Sequence, residues 1–196
     1  MGTTPIQYLI VPGWQGSPAN HWQSHWQRVL PDCSWVEQKD WFTPQRQEWV
    51  DELERSLKAC HAPVILIAHS LGCATVAHWA HWAQQADPET RQRVVGALLV
   101  APADVERPAC PAPLKNFAPL PRQALPFPAL LVGSGNDPAA TPERARYLAN
   151  IWGAASTILA DVGHINVKSG HERWEDGFTF LYQLQHQIER TSRYRA

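Results

Sequence analysis

The sequence predicts an α/β fold, a doubly wound, mostly parallel six-stranded sheet with helices on both faces. Short apolar runs rich in Val, Ile and Leu alternate with stretches whose apolar residues recur at helical spacing. Most of the apolar runs stop at Gly, Pro, Ser or Asn, where a strand hands over to a loop. The 196 residues suit one domain, 1–196, with a sizeable core, and neither a linker nor an internal repeat divides them.

Residues 6–11 read as a buried strand closed by Pro12-Gly13, and residues 20–30 follow a helical pattern. Residues 34–37 make a short strand candidate. The helix over 44–59 carries Trp49, Val50, Leu53 and Leu57 on one face. A strand from 64 stops abruptly at His69-Ser70, and a helix runs on to about residue 85. Strands follow at 94–100, 128–132 and 156–159, with helices at 142–152 and 174–189. Right-handed crossovers place ligands outside the carboxyl ends of such strands. Trp14, Ser70, Asp137 and His164 fall there, after the first, third, fifth and sixth strands.

The segment 101–128 holds Pro102, Pro108, Pro111, Pro113, Pro119, Pro121, Pro126 and Pro128. Proline excludes regular helix and strand here. The segment is expected over the edge carrying those four residues, as a cover against water or as a stiff connector. It is too short for a folded cap domain.

A formal net charge of −1 argues against nucleic acid as a partner. The densest basic stretch, 190–195, reads as a frayed tail. The first apolar run is too short for a signal sequence and no basic residues precede it. No segment approaches the roughly 20 apolar residues of a membrane span, so no membrane partner is expected. Cys33, Cys60, Cys73 and Cys110 form no C-x-x-C pair, which predicts reduced thiols, a cytoplasmic location and no metal. Of the ten tryptophans, Trp22, Trp26, Trp79 and Trp82 fall at helical spacing and are expected to pack the core.

Ala68-His69-Ser70-Leu71-Gly72 has the G-x-S-x-G pattern of a strand–nucleophile–helix turn. Small residues are needed two before and two after the serine, because a bulky side chain there would strike neighbouring backbone. The turn holds the serine oxygen at the strand end and aims the next N–H where an oxyanion would form. Ala68 replaces the first glycine, so its methyl must fit. The competing reading is a serine that merely caps a helix.

Asp137 ends the run Gly133-Ser134-Gly135-Asn136-Asp137, and His164 lies in Gly163-His164-Ile165-Asn166. Serine, acid and histidine in that order match the α/β-hydrolases. Histidine, with an ordinary pKa of about 6.5, can take the serine proton and return it to a leaving group. The acid holds the right imidazole tautomer. Asp104 is a rival acid, while Asp161 comes too early. His171 is a rival base, and His69 adjoins the serine with its ring expected to point away. Asp137 could instead serve only a turn before Pro138, and His164 could be a surface loop residue. For the oxyanion hole the candidates are the N–H groups of Leu71 and Trp14, with Gln15 the rival to Trp14. Gln15, His21 and His69 are candidate substrate-binding residues, His21 being better explained as a helix start.

With these motifs, the chain resembles the small α/β-hydrolases of the retinoblastoma-binding-protein-nine and YdeN type. The resemblance runs nearly from end to end, through Pro12-Gly13-Trp14 with His21-Trp22, the serine motif and Leu125-Pro126-Phe127-Pro128. It continues through Asn136-Asp137-Pro138 and Gly163-His164-Ile165-Asn166 to Ser169-Gly170 and Trp174. It implies a compact hydrolase without a cap domain, a Ser-Asp-His triad, and for some members activity on short acyl esters. Peptidase activity has been attributed to the mammalian relative, whose protein partner is read through Leu-x-Cys-x-Glu. Here Leu71-Gly72-Cys73-Ala74-Thr75 lacks the glutamate, so the triad carries over and the partner does not. The expected function is a cofactor-free serine hydrolase cleaving small carboxylic esters through an acyl-enzyme. An amidase or peptidase using the same triad, or a protein-binding module on a hydrolase fold, is the alternative.

Overall fold

The computed structural model describes residues 5–193. Six strands form one sheet: β1 (Gln7–Val11), β2 (Cys33–Trp35), β3 (Val64–His69), β4 (Val94–Val100), β5 (Ala129–Ser134) and β6 (Ala155–Leu159). Their order is β2-β1-β3-β4-β5-β6, and every adjacent pair is parallel. Among the described residues six α-helices complete the layers: α1 (Trp22–Val29), α2 (Arg46–Ala59), α3 (Leu71–Ala86), α4 (Pro88–Arg93), α5 (Pro142–Ile151) and α6 (Phe178–Arg193).

The alternation of side chains along each strand divides the core in two. Leu9, Val11, Leu66, Ala68, Leu99 and Leu131 face the layer of α2, α3 and α5. Tyr8, Ile10, Ile65, Ile67, Leu98 and Val132 face α1 and α6. Covered on both sides, β3 reads as a continuous apolar run. The chain passes from β1 outward to β2, then returns to place β3 on the other side of β1. The carboxyl ends of β1 and β3 therefore flank the switch point, where a doubly wound sheet leaves a crevice.

Several elements depart from expectation. Helix α4 follows at once on α3, with Pro88 in its first turn and the Asp87 carboxylate accepting the Thr90 N–H at 3.0 Å. Strand β2 pairs over Cys33–Trp35 rather than 34–37. Trp174 takes a left-handed conformation (φ 45°), and a short 3-10 turn, Glu175–Gly177, separates it from α6. The basic stretch expected to fray is helical through Arg193, and positions 194 and 195 lie outside the described residues. Trp22, Trp26 and Trp79 are buried, but Trp82 turns outward.

The proline-rich segment departs most. It contains a 3-10 helix, Ala112–Phe117, with Pro113 in its first turn, where proline's missing N–H costs nothing. Leu114, Phe117, Leu120 and Phe127 are buried in the α2/α3/α5 half of the core. The segment is thereby packed against that layer, as the connector reading expects. Among the described residues no helix is long and apolar enough to cross a membrane.

Candidate active site

Ser70 links β3 directly to α3 with φ 55° and ψ −120°, a conformation that L-residues rarely adopt. Gly72 makes the turn possible, since a Cβ there would lie 2.2 Å from the Val11 carbonyl oxygen. Ala68 fits in place of glycine, fully buried. Ser70 stands at the N-cap of α3, yet its side chain caps nothing. Its Oγ lies instead 2.9 Å from His164 Nε2, which removes the helix-capping reading.

Asp137 follows the end of β5 and His164 the end of β6. Both Asp137 carboxylate oxygens lie 2.9 Å from His164 Nδ1, and the carboxylate side chain is 2% exposed. An acceptor at that position keeps the proton on Nδ1 and turns the Nε2 lone pair toward the Ser70 hydroxyl. Asp137 also makes the local turn, its Oδ1 accepting the Ala139 N–H at 2.8 Å. The rival Asp104 pairs with Arg144 at 3.2 Å, and His171 Nδ1 with the Ser169 hydroxyl at 3.0 Å.

Two residues given no role in the sequence reading join the loops that carry acid and histidine. The Ser134 hydroxyl accepts the Val162 N–H at 3.1 Å and donates to Asn136 Oδ1 at 3.0 Å. Asn136 Oδ1 also accepts the Gly163 N–H at 2.7 Å. Their sequence signals are the short polar run between a strand and an acid and, for Asn136, the Asn136-Asp137-Pro138 motif. From the other side, the Trp22 indole N–H donates to the Ile165 carbonyl at 2.9 Å.

The first-strand loop lies against the serine. A Cβ on Gly13 would sit 2.8 Å from Ser70 Cβ and 3.3 Å from the Leu71 nitrogen. The Gln15 N–H is spent on the Trp41 carbonyl at 2.9 Å, which leaves Trp14 as the candidate donor from this loop. Among the described residues, the Trp14 and Leu71 N–H groups find no protein acceptor. The Trp14 indole N–H is held by the Phe42 carbonyl at 2.9 Å. The Gln15 side chain is exposed beside them.

His21 and His69 are buried, His21 as the helix start the sequence favours and His69 with its ring turned from the serine. They are 3% and 5% exposed, with ring centroids 5.0 Å apart. His21 Nδ1 accepts the Gln23 N–H at 3.1 Å and caps α1. Burial, then the neighbouring His164 and His171, pull its pKa down to about 4. His69 Nε2 faces the His164 carbonyl oxygen at 2.9 Å. Burial, followed by His164 and His21, holds its pKa well below the ordinary value. Among the described residues no three His, Cys, Asp or Glu side chains converge to hold a metal.

The fold recurs in known proteins. A protein described as a YdeN-like hydrolase, from Pectobacterium atrosepticum, is 31% identical, with a TM-score of 0.81 over 93% of this chain and 92% of that one. The YdeN structure from Bacillus subtilis is 20% identical, with a TM-score of 0.71 over 93% of this chain and all of that one (100%), a likeness of fold. In sequence, the B. subtilis hydrolase YdeN is 28% identical over 100 residues, 48% of this chain. That match spans about half of YdeN's own length (50%). The serine hydrolase family model matches residues 8–183, nearly the whole described chain. The chain belongs to the serine hydrolase family.

Proposed function

We propose that this hydrolase is an esterase for small carboxylic esters, with Ser70 as nucleophile, His164 as base and acid, and Asp137 orienting His164. One observation carries the reading: the unbroken run of contacts from Ser70 Oγ to His164 Nε2, and from His164 Nδ1 to Asp137. As Ser70 Oγ bonds to the acyl carbon, its proton passes to His164 Nε2 and the carbonyl π pair moves onto oxygen. The Leu71 and Trp14 N–H groups receive that oxyanion, each such donor contributing about 10²–10³ in rate. Collapse breaks the bond to the alkoxide, which leaves as the alcohol with the proton from His164. Water, deprotonated by His164, then releases the carboxylic acid and restores the Ser70 hydroxyl.

Small acyl groups fit a fold without a cap domain, in which Val105, Leu114, Phe117 and Phe127 are packed into the core. The same set could cleave amides, and nothing in the site favours them. We place the enzyme in a reducing compartment such as the cytoplasm, since its four cysteines are free thiols.

A fluorophosphonate probe, read as intact mass on wild type and Ser70→Ala, tests the assignment. One adduct on the wild type and none on the variant is expected. Folded wild-type protein that takes no adduct would overturn the mechanism.

A further inference from the structure

We propose that His69 is a positioning residue for the base: its buried Nε2–H holds the backbone carbonyl of His164 and fixes where that imidazole stands against Ser70. The inference rests on His164 being the base, as proposed above.

A carbonyl oxygen only accepts, so at 2.9 Å from it the His69 Nε2 must carry the proton. The ring is neutral and enclosed. His21 at the start of α1 meets it edge-on at 5.0 Å, and Trp22 stands perpendicular to it at 5.9 Å. The His164 ring is tilted against it at 4.9 Å, and His171 is the remaining titratable group that acts on it. Burial among these groups disfavours its charged form.

His69 and Ser70 are consecutive at the end of β3. One strand end therefore supports both the nucleophile and the hydrogen bond that locates its base. Other ties on the His164 loop run to Ser134 at the end of β5, to Asn136 just beyond it and to Trp22 on α1. The His69 bond references the loop to the strand where the reaction occurs. Without it the His164 carbonyl loses its donor, and the imidazole is free to drift from the serine. Displacements of about 1 Å at a reacting centre cost up to about 10²-fold in rate.

The test compares His69→Phe, which keeps a ring and loses the donor, with His69→Gln, whose amide can reach the same oxygen. Rates are normalised to sites titrated by the fluorophosphonate. For His69→Phe we expect kcat at least about tenfold lower with KM within about twofold, the signature of lost transition-state alignment. His69→Gln should return to within about threefold of wild type, because it restores the donor. Wild-type kcat in His69→Phe, or equal losses in both variants, would overturn the proposal. Histidine-selective 15N NMR of the wild type decides the matter even if His69→Phe fails to fold. A neutral Nε2–H tautomer for His69 is expected, and an Nδ1–H tautomer would refute the bond. Failure of the wild type to label is a separate result, striking at Ser70 and His164 themselves.

Discussion

His21 shows how much one buried imidazole can set. Its Nδ1 lone pair accepts the Gln23 N–H, so a proton there would break the cap and put positive charge at the positive end of α1. The ring faces His69, with His164 and His171 also acting on it, and its pKa lies near about 4. In the unfolded chain the same group titrates at about 6.5. As pH falls below that value the unfolded state takes a proton that the folded state refuses. The stability contribution is full above pH 6.5 and disappears as pH falls through about 4. His69 shifts in the same direction and adds to the slope. Asparagine at position 21 keeps a capping acceptor and has no proton to gain. Wild type should lose on the order of 2 kcal/mol more than His21→Asn between pH 7 and pH 4.5. Urea unfolding at each pH measures this, and parallel curves for the two proteins would count against it.

At the scale of elements, the β5 and β6 loops act as one unit because Asn136 and Ser134 join them. Asn136→Ala removes the acceptor of the Gly163 N–H and the partner of the Ser134 hydroxyl. The expected result is about a tenfold fall in kcat with a loss of about 1 kcal/mol in stability. Stopped-flow ester hydrolysis and thermal melts would report both, and an unchanged kcat would separate this link from catalysis. Ser70, Asp137 and His164 were legible in the sequence because each stands where an apolar run ends, and such ends share one edge of a parallel sheet. The helix-start role of His21 was legible, but the burial of His21 and His69 against each other was not, because their neighbours come from α1, β3 and the β6–α6 loop, which no local pattern relates. Helix α4 was legible in principle from Asp87-Pro88, but six residues are too few to show a periodic face. Strand β2 shifted because an edge strand of three half-buried residues carries little hydrophobic pattern.

For the molecule as a whole, the site occupies the seam between the two halves of the core, at the switch point between β1 and β3. The proline-rich segment belongs to one half. Phe117 is fully buried and edge-on to Trp49 at 5.8 Å. His78 donates to the Phe117 carbonyl at 2.7 Å, and the Trp152 indole to the Pro121 carbonyl at 2.9 Å. Arg144 pairs with both Asp104 and Glu106 at the start of the segment. A segment held at so many points along α2, α3 and α5 packs as part of the core. Its prolines said only where regular hydrogen bonding fails. The direction in which it packs is set by Leu114, Phe117 and Leu120, whose partners lie far away in sequence. Phe117→Ala should therefore cost about 3–5 kcal/mol through the cavity it leaves. Its kcat/KM on acetyl and butyryl esters, per titrated site, should stay within about twofold of wild type, since nothing at the seam moves. A lid would behave differently, with the variant gaining activity on long-chain esters as the segment loosened. Measuring both ester lengths alongside the melting temperature distinguishes a structural flank from a gate.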